Sequence, residues 1–470
     1  MQTFDYLFRP RSVAIVGASS NPDSRTNQNF LEPLLVLRYP GRIYPVNPHV
    51  SEVMGLKAYA NVRDIPEPVD YVLCALPAPM TPQLMRDCVA ARAKVVAMFT
   101  AGFSETGEAE GARLEAEITE IARRGNVRLI GPNCLGVHCP GAGISLEPDI
   151  PPKDSGVSFF SQSGGNAREI ILAGAERQVF FNKLVSYGNA ADLNESDFLE
   201  HFAADNDTRI IGAYIEGPKE PLRFRRVLSR TAAAKPVILL KGGRTHAGNG
   251  AVASHTGALS GSKQIWDALC QQTGAVQVGS LEEMVDTILA FSCLKPPRGR
   301  RVGLVGIGGG TSVLAADGCE SAGLVVPPFP AEVRRELREF IPSAGTGLRN
   351  PLDSAADVYW EPASFARAAE IVARWDGIDV LFVMLNATAA LRRGLETMRA
   401  QIKAIIEVGH RIDKPLIMIL RTADIAKAEY MAREAQDECL TAGFPVYRCY
   451  DRAARAISHV IGYHETTSHR

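Results

Sequence analysis

The chain has no uninterrupted apolar run approaching the ~18 residues of a membrane-spanning helix. Its start, "MQTFDYLFRPRSVAIVGASS", places no basic stretch before a long apolar one and does not read as a signal peptide. Charge of one sign is missing as well: 51 Lys and Arg against 52 Asp and Glu leave a net charge of −1. That excludes bulk attraction to nucleic acid or to an anionic membrane. Cysteine is sparse, and the nine present follow no disulfide-like rhythm, which fits a reduced, cytoplasmic compartment. Cys134, His138 and Cys139 crowd together in "CLGVHC" at no common zinc spacing, so they read as buried groups in preference to a metal site. Two nucleotide fingerprints are absent: the G-x-x-x-x-G-K-[ST] loop and G-x-G-x-x-G.

What is present is enough apolar material, 46% of 470 residues, to bury several cores, and the length suggests about three domains. Five short runs rich in Val and Ile precede residue 135: "SVAIVGAS", "GRIYPVNP", "DYVLCALP", "KVVAMFTAG" and "VRLIGPN". Each is continuous rather than alternating, as expected of strands covered on both faces. Helical spacing of apolar residues fills the stretches between, so an α/β, doubly wound, Rossmann-like domain is expected over 1–147. The prolines of "PDIPPKD" then mark a linker. Two segments follow one plan. "GVSFFSQSGGNAREIILAGAE" and "RVGLVGIGGGTSVLAADGCESAG" each run strand, Ser/Gly turn, helix. Each is followed by a middle strand ("TRIIGAYIEG", "IDVLFVMLNA") and a third announced by Lys-Pro ("KPVILLKGG", "KPLIMILRT"). This weak internal repeat predicts two flavodoxin-like domains, 154–295 and 300–465.

In such sheets ligands bind beyond the carboxyl ends of the strands. Four turns lie there. Gly17, Ala18 and Ser19 after the first strand let the backbone approach a phosphate at a helix start, although a tight turn without a ligand has the same composition. Asn47 stands where a nicotinamide enzyme would carry an acidic residue for the ribose, which disfavours that cofactor. Ser161, Gln162, Ser163 and Gly164 form a second cradle of hydroxyls, amides and glycine, with an ordinary N-cap as the alternative. Gly309, Gly310, Thr311 and Ser312 repeat it in the second copy, and the pairing suggests that both helix starts face one phosphate. The fourth is "GGRTHAGNGAVASHTGALSGS", with six glycines in residues 242–262 and almost no apolar bulk. It reads as an accessible, mobile loop. His255, among Ser254, Thr256 and Gly257, is its candidate nucleophile, because a neutral imidazole attacks well near neutral pH. Glu216, in "YIEG", is the candidate that fixes its tautomer, and otherwise a solvated strand-end charge. His246 lacks the small polar surroundings of His255.

With these residues in hand, the chain resembles the nucleoside-diphosphate-forming acyl-CoA synthetases, relatives of succinyl-CoA synthetase, and most of all the α subunit of the ADP-forming acetyl-CoA type. "SVAIVGAS", "YPVNP", "AGFSETGE", "RLIGPNCLG", "SQSGG", "YIEG", "SHTGALSG" and "GGGTSVLAADGCE" occur in family order over nearly the whole chain. The resemblance implies a CoA-binding domain followed by two succinyl-CoA-ligase-like domains. It implies CoA contacts at Gly17, Ala18, Ser19, Asn47, Pro48, Ala75, Pro77 and Asn133, and an acyl pocket at Gly188 and Asn189 in "SYGNAADL". His255 is then the phosphorylated residue, oriented by Glu216, and the two Ser/Gly helix starts hold the phosphate. The implied reaction joins a small carboxylic acid to CoA through an acyl phosphate and a phosphohistidine. ATP or ADP with Mg2+ sits mainly on a separate ATP-grasp β subunit, in a heterotetramer, because nothing in this chain reads as an ATP-grasp domain. Two departures stand out: His49 replaces the Lys that many relatives carry after "YPVNP", and "SRTNQNFLEPLL" lacks the usual glycines. The alternative reading is a CoA-binding regulatory or scaffold subunit.

Overall fold

The computed structural model describes residues 4–153, 155–256, 262–342 and 348–468. They fall into two compact units, Met1–Met284 and Val285–Arg470. The first unit holds two sheets. In one, β1 (Ser12–Val16) and β2 (Arg42–Val46) are followed by a small hairpin of β3 (Glu52–Val53) and β4 (Leu56–Lys57). Then come β5 (Tyr71–Cys74), β6 (Val95–Met98) and β7 (Arg128–Ile130). The order is β2-β1-β5-β6-β7, all parallel. In the other, β8 (Gly136–His138), β9 (Val157–Ser161), β10 (Phe181–Ser186), β11 (Ile210–Ile215), β12 (Val237–Lys241) and β13 (Val276–Val278) run in the order β13-β12-β11-β9-β10-β8. All are parallel except β8, which pairs antiparallel with β10. The second unit is built on β14 (Val302–Gly306), β15 (Leu352–Asp353), β16 (Val380–Asn386), β17 (Leu416–Arg421) and β18 (Val446–Tyr447). Its order is β15-β14-β16-β17-β18, again parallel.

Counted within its own domain, each sheet follows the order 2-1-3-4-5, with the edge strand β8 added to the second. This is the flavodoxin-like plan, and it puts the reversal of strand order between the first and third strands. The continuous apolar runs become strands because both faces are covered: every residue of β1, β9, β12 and β14 is buried. Among the described residues, no helix is long and apolar enough to cross a membrane.

Within the first unit the two sheets share one apolar core, which runs from Phe8, Val13 and Ile15 to Phe160, Tyr187, Phe198 and Phe202. Phe8 stacks on His201 with ring centres 5.2 Å apart. Residues 187–193 are zipped onto the free edge of β7. The Asn189 amide donates to Pro132 O, Ala191 to Gly131 O and Leu193 to Leu129 O, at 2.9, 2.9 and 3.1 Å. Arg128 closes the seam with two bonds to Asp192 at 2.9 and 3.0 Å. An edge that would otherwise present unpaired backbone is thereby covered, and the turn holding Gly188 and Asn189 is fixed to the first sheet.

Candidate active site

At the first sheet's reversal point, Gly17 adopts φ +92°, and a Cβ there would sit 3.2 Å from Ala75 O. Only glycine brings the ends of β1 and β5 this close. Asn47 is used to fasten the turn: its Nδ2 donates to Ala18 O at 2.7 Å and its Oδ1 accepts the His49 amide at 2.8 Å. Asn27 does the same for Ser19, whose amide donates to Asn27 Oδ1 at 3.1 Å. Pro48, His49 and Pro77 are exposed around this crevice. Asn133, at φ +58°, hangs from Thr100 O by its amide.

At the second sheet's reversal point the Ser/Gly turn is tightly bonded. Ser161 Oγ donates to Ser163 O at 2.7 Å and accepts the Ser163 amide at 3.2 Å. Ser163 caps the helix Gly164–Ala175 by accepting the Asn166 amide at 3.3 Å. Gln162, 3% exposed, turns its carbonyl to the far side of the crevice, where Oε1 accepts the amides of both Glu216 and Gly217. The side chains of Ser161 and Gln162 thus build the cradle, and the amides of Gly164 and Gly165 are the donors that the helix itself leaves over for an anion. Glu216 is buried, 4% exposed, and accepts from Tyr214 Oη at 3.1 Å. Lys241, at the end of β12, is nearly enclosed. Burial pulls its pKa down to about 8 and Arg244 adds to this, while Glu216 works against it.

Asn133 and the second turn line one cavity of about 310 Å³, which Gly17, Ala18, Ser19, Asn47, Pro48, Ala75 and Pro77 do not line. It is lined by Phe99, Asn133, Cys134, Leu135, Gln162, Ser163, Gly164, Gly165, Arg168 and Gly188. Residues expected separately for CoA, phosphate and acyl group therefore share a wall. Gly188 belongs there for a steric reason: at φ +52°, a Cβ would overlap the carbonyl oxygens of Pro132 and Asn133. Asn189 is 2% exposed and directs its Nδ2 to Glu105 Oε2 at 2.6 Å and Glu115 Oε2 at 2.8 Å. Burial raises the Glu105 carboxyl, but the bonds from Asn189, Gly102 and Phe103 outweigh it and hold it below its ordinary value.

The run 242–262 differs from the loop read in the sequence, for His246–Thr256 is a helix. Thr245 Oγ1 starts it by accepting the Gly248 amide at 3.1 Å, and three alanines favour its continuation. It packs beside the short turn Ser104–Thr106, close to the Asn189–Glu105 contact. The backbone of His255 lies in this helix; its side chain, and residues 257–261, fall outside the described residues.

In the second unit Gly309 and Gly310 are exposed at the start of the helix Gly309–Ser321. Thr311 Oγ1 accepts from Arg421 Nη1 at 2.6 Å, and Ser312 Oγ donates back to Gly308 O at 3.2 Å. Thr311 and Arg421 line a cavity of about 500 Å³ with Asp317, Asp451 and Arg455. Arg168 and Arg421 have no counterpart in the motif reading. Both follow a motif at a distance, four residues into its helix or on another strand, where no local pattern marks them. His138, Cys134 and Cys139 are buried. Burial lowers His138 to about 3 and raises Cys134 to about 12, and His138 Nδ1 takes the Leu146 amide at 3.2 Å.

Two family models match the chain: a CoA binding domain over residues 11–140 and a Succinyl-CoA ligase like flavodoxin domain over residues 154–291. The chain is also 34% identical, over 96% of both chains, to the α subunit of the ADP-forming acetate–CoA ligase II of Pyrococcus furiosus. It belongs to the ADP-forming acyl-CoA synthetase family. Another synthetase of this family, the ADP-forming acetate–CoA ligase of Methanocaldococcus jannaschii, is 37% identical over 75% of this chain but only 49% of its own length. The present chain thus matches a separate α subunit over 96% of its length and spans about half of a longer relative. Among solved structures, the dinucleotide forming acetyl-coenzyme A synthetase 1 of Ca. Korarchaeum cryptofilum, in complex with phosphate and ADP, superposes with a TM-score of 0.84 at 29% identity. The match covers 100% of this chain and 98% of that one.

Proposed function

We propose that this chain is the α-type subunit that interconverts acyl-CoA, ADP and phosphate with a carboxylic acid, ATP and CoA, using His255 as a phosphoryl carrier. The observation that carries the reading is the single cavity shared by the Gly164–Gly165 amides, Asn133 and Gly188. A phosphate oxygen bonded by the helix-start amides attacks the thioester carbonyl; the carbon–sulfur bond breaks and CoA leaves as thiolate, giving an acyl phosphate. An imidazole nitrogen of His255 then attacks phosphorus and the carboxylate departs. Glu216, held in place by Gln162, orients the ring and stabilises its positive charge. Arg168 supplies the cation on the same wall.

ADP accepts the phosphoryl group in the last step. We assign the nucleotide and its Mg2+ to a separate ATP-grasp subunit, since relatives about half as long again leave room for such a domain in the remainder. CoA reaches the cavity from the Gly17–Ala75 crevice. The substrate class is small carboxylic acids.

The test needs no partner. The purified chain is incubated with acetyl-CoA and radiolabelled inorganic phosphate. Acid-labile, base-stable label on the protein, lost in His255→Ala, supports the reading. Absence of label across a panel of acyl-CoA donors, with CoA still binding, leaves a CoA-binding regulatory subunit instead.

A further inference from the structure

The turn that carries Glu216 is gripped from two sides. On one, Gln162 Oε1 accepts the Glu216 and Gly217 amides. On the other stands the helix Glu195–Ala204. Glu195 Oε1 accepts the Lys219 amide at 2.9 Å, and the cap residue Asn194 donates from Nδ2 to Glu220 Oε2 at 3.2 Å. Glu195 is 0% exposed. Its other oxygen, Oε2, has no hydrogen-bond partner among the described residues, and neither have Tyr187 Oη and Ser196 Oγ. Tyr187 follows β10 as Glu216 follows β11, so parallel neighbours of β9 deliver both to the same end of the sheet. The Tyr187 ring is locked against Phe160 and Phe198. Its hydroxyl is pushed well above the usual phenol range by burial, then by the carboxylates of Glu195 and Glu216. A buried carboxyl with an unused oxygen is costly in a protein interior, and packing alone gives no reason for one here.

We propose that Glu195 is a positioning residue for the phosphohistidine chemistry: through the Lys219 amide it sets the Glu216 turn, and with Tyr187 it forms a buried polar cluster at the end of the sheet where Glu216 lies. The inference rests on the reading of His255 and Glu216 given above. The cluster also makes the site sensitive to pH. Burial raises the Glu195 carboxyl to about 7, against the opposing pull of the Lys219 and Glu220 amides and the Lys219 charge. The groups facing it are Tyr187, which follows β10, and Lys219 and Glu220 from the turn. Below about 7 the carboxyl is neutral and tolerated in the core. Above it a buried anion forms beside Tyr187, and the bond it accepts from the Lys219 amide, now charge-assisted, holds the turn more tightly.

The experiment is the labelling of the full chain from acetyl-CoA and radiolabelled phosphate, followed from pH 5.5 to 9 in wild type, Glu195→Gln, Glu195→Ala and His255→Ala. In Glu195→Ala the initial rate falls by about tenfold or more, as a displaced catalytic group gives, while the KM for CoA is unchanged. In Glu195→Gln, which keeps the acceptor for Lys219, the rate at pH 6 stays near wild type and the rise in rate through pH 7 disappears. A wild-type rate in Glu195→Ala overturns the proposal, and so does a wild-type pH profile in Glu195→Gln. Label that persists in His255→Ala overturns the underlying reading instead, so the two failures are distinguishable. If Glu195→Ala does not fold, the Glu195→Gln profile decides.

Discussion

Gln162 is the point at which the fold and the chemistry are most directly coupled. Its buried Oε1 is the acceptor for two amides of one turn, those of Glu216 and Gly217. Gln162→Ala takes that acceptor from both. An unpaired buried amide costs roughly 1–3 kcal/mol, so the pair would cost about 2–6 kcal/mol if the site stayed dry. Gln162 lines the 310 Å³ cavity, which admits water and brings the figure to the lower half, about 2–4 kcal/mol. For a unit of this size that lowers the melting temperature by about 5–10 °C. Glu216 is displaced with its turn, so labelling of His255 drops by about tenfold or more. Gln162→Glu keeps an acceptor in place and melts closer to wild type. The assays are a calorimetric melt and the phosphate-labelling rate. A Gln162→Ala protein that melts within about a degree of wild type and labels at the wild-type rate refutes the argument, because the Glu216 turn would then be held by something else.

Gly188→Ala forces a side chain into φ +52° and onto two carbonyl oxygens; a cost of about 1–3 kcal/mol from backbone strain, with loss of labelling, is expected in melts and activity assays. Arg168→Ala removes the cation from the cavity wall; phosphate saturation of labelling should show the KM for phosphate raised by about tenfold with the KM for CoA unaffected. His138 stays neutral in the fold, its pKa lowered by burial to about 3, against about 6.5 when unfolded. Between those values the unfolded state binds more protons, so stability falls as pH drops from about 6.5 toward about 3. His138→Gln flattens that part of the curve in denaturant titrations.

The sheets were legible in the sequence because their strands are covered on both faces and written as unbroken apolar runs. "SVAIVGAS", "GVSFFSQ" and "RVGLVGIG" each mark the first strand of a sheet, and Gly17, Gly164 and Gly309 lie in the turns that follow. The short strands β13, β15 and β18 were not legible, since two or three residues carry no period. Nor was the helix His246–Thr256, where glycine and polar content hid a stretch that three alanines and the Thr245 cap make helical. Asn47 and Gln162 looked like ligand groups; the fold shows each bonding the neighbouring turn, and a sequence cannot tell a side chain that meets backbone from one that meets a ligand.

By itself the sequence determined the class of each domain, its longest apolar strands and the turns at which chemistry is possible, because periodicity and glycine placement are local properties. Only the tertiary structure decided that Gly188 lies against Pro132 and Asn133, that Arg168 shares a cavity with them, and that Glu195 grips the Glu216 turn. Those pairings join residues far apart in the chain, and they are set by close packing between two sheets rather than by any pattern along one of them.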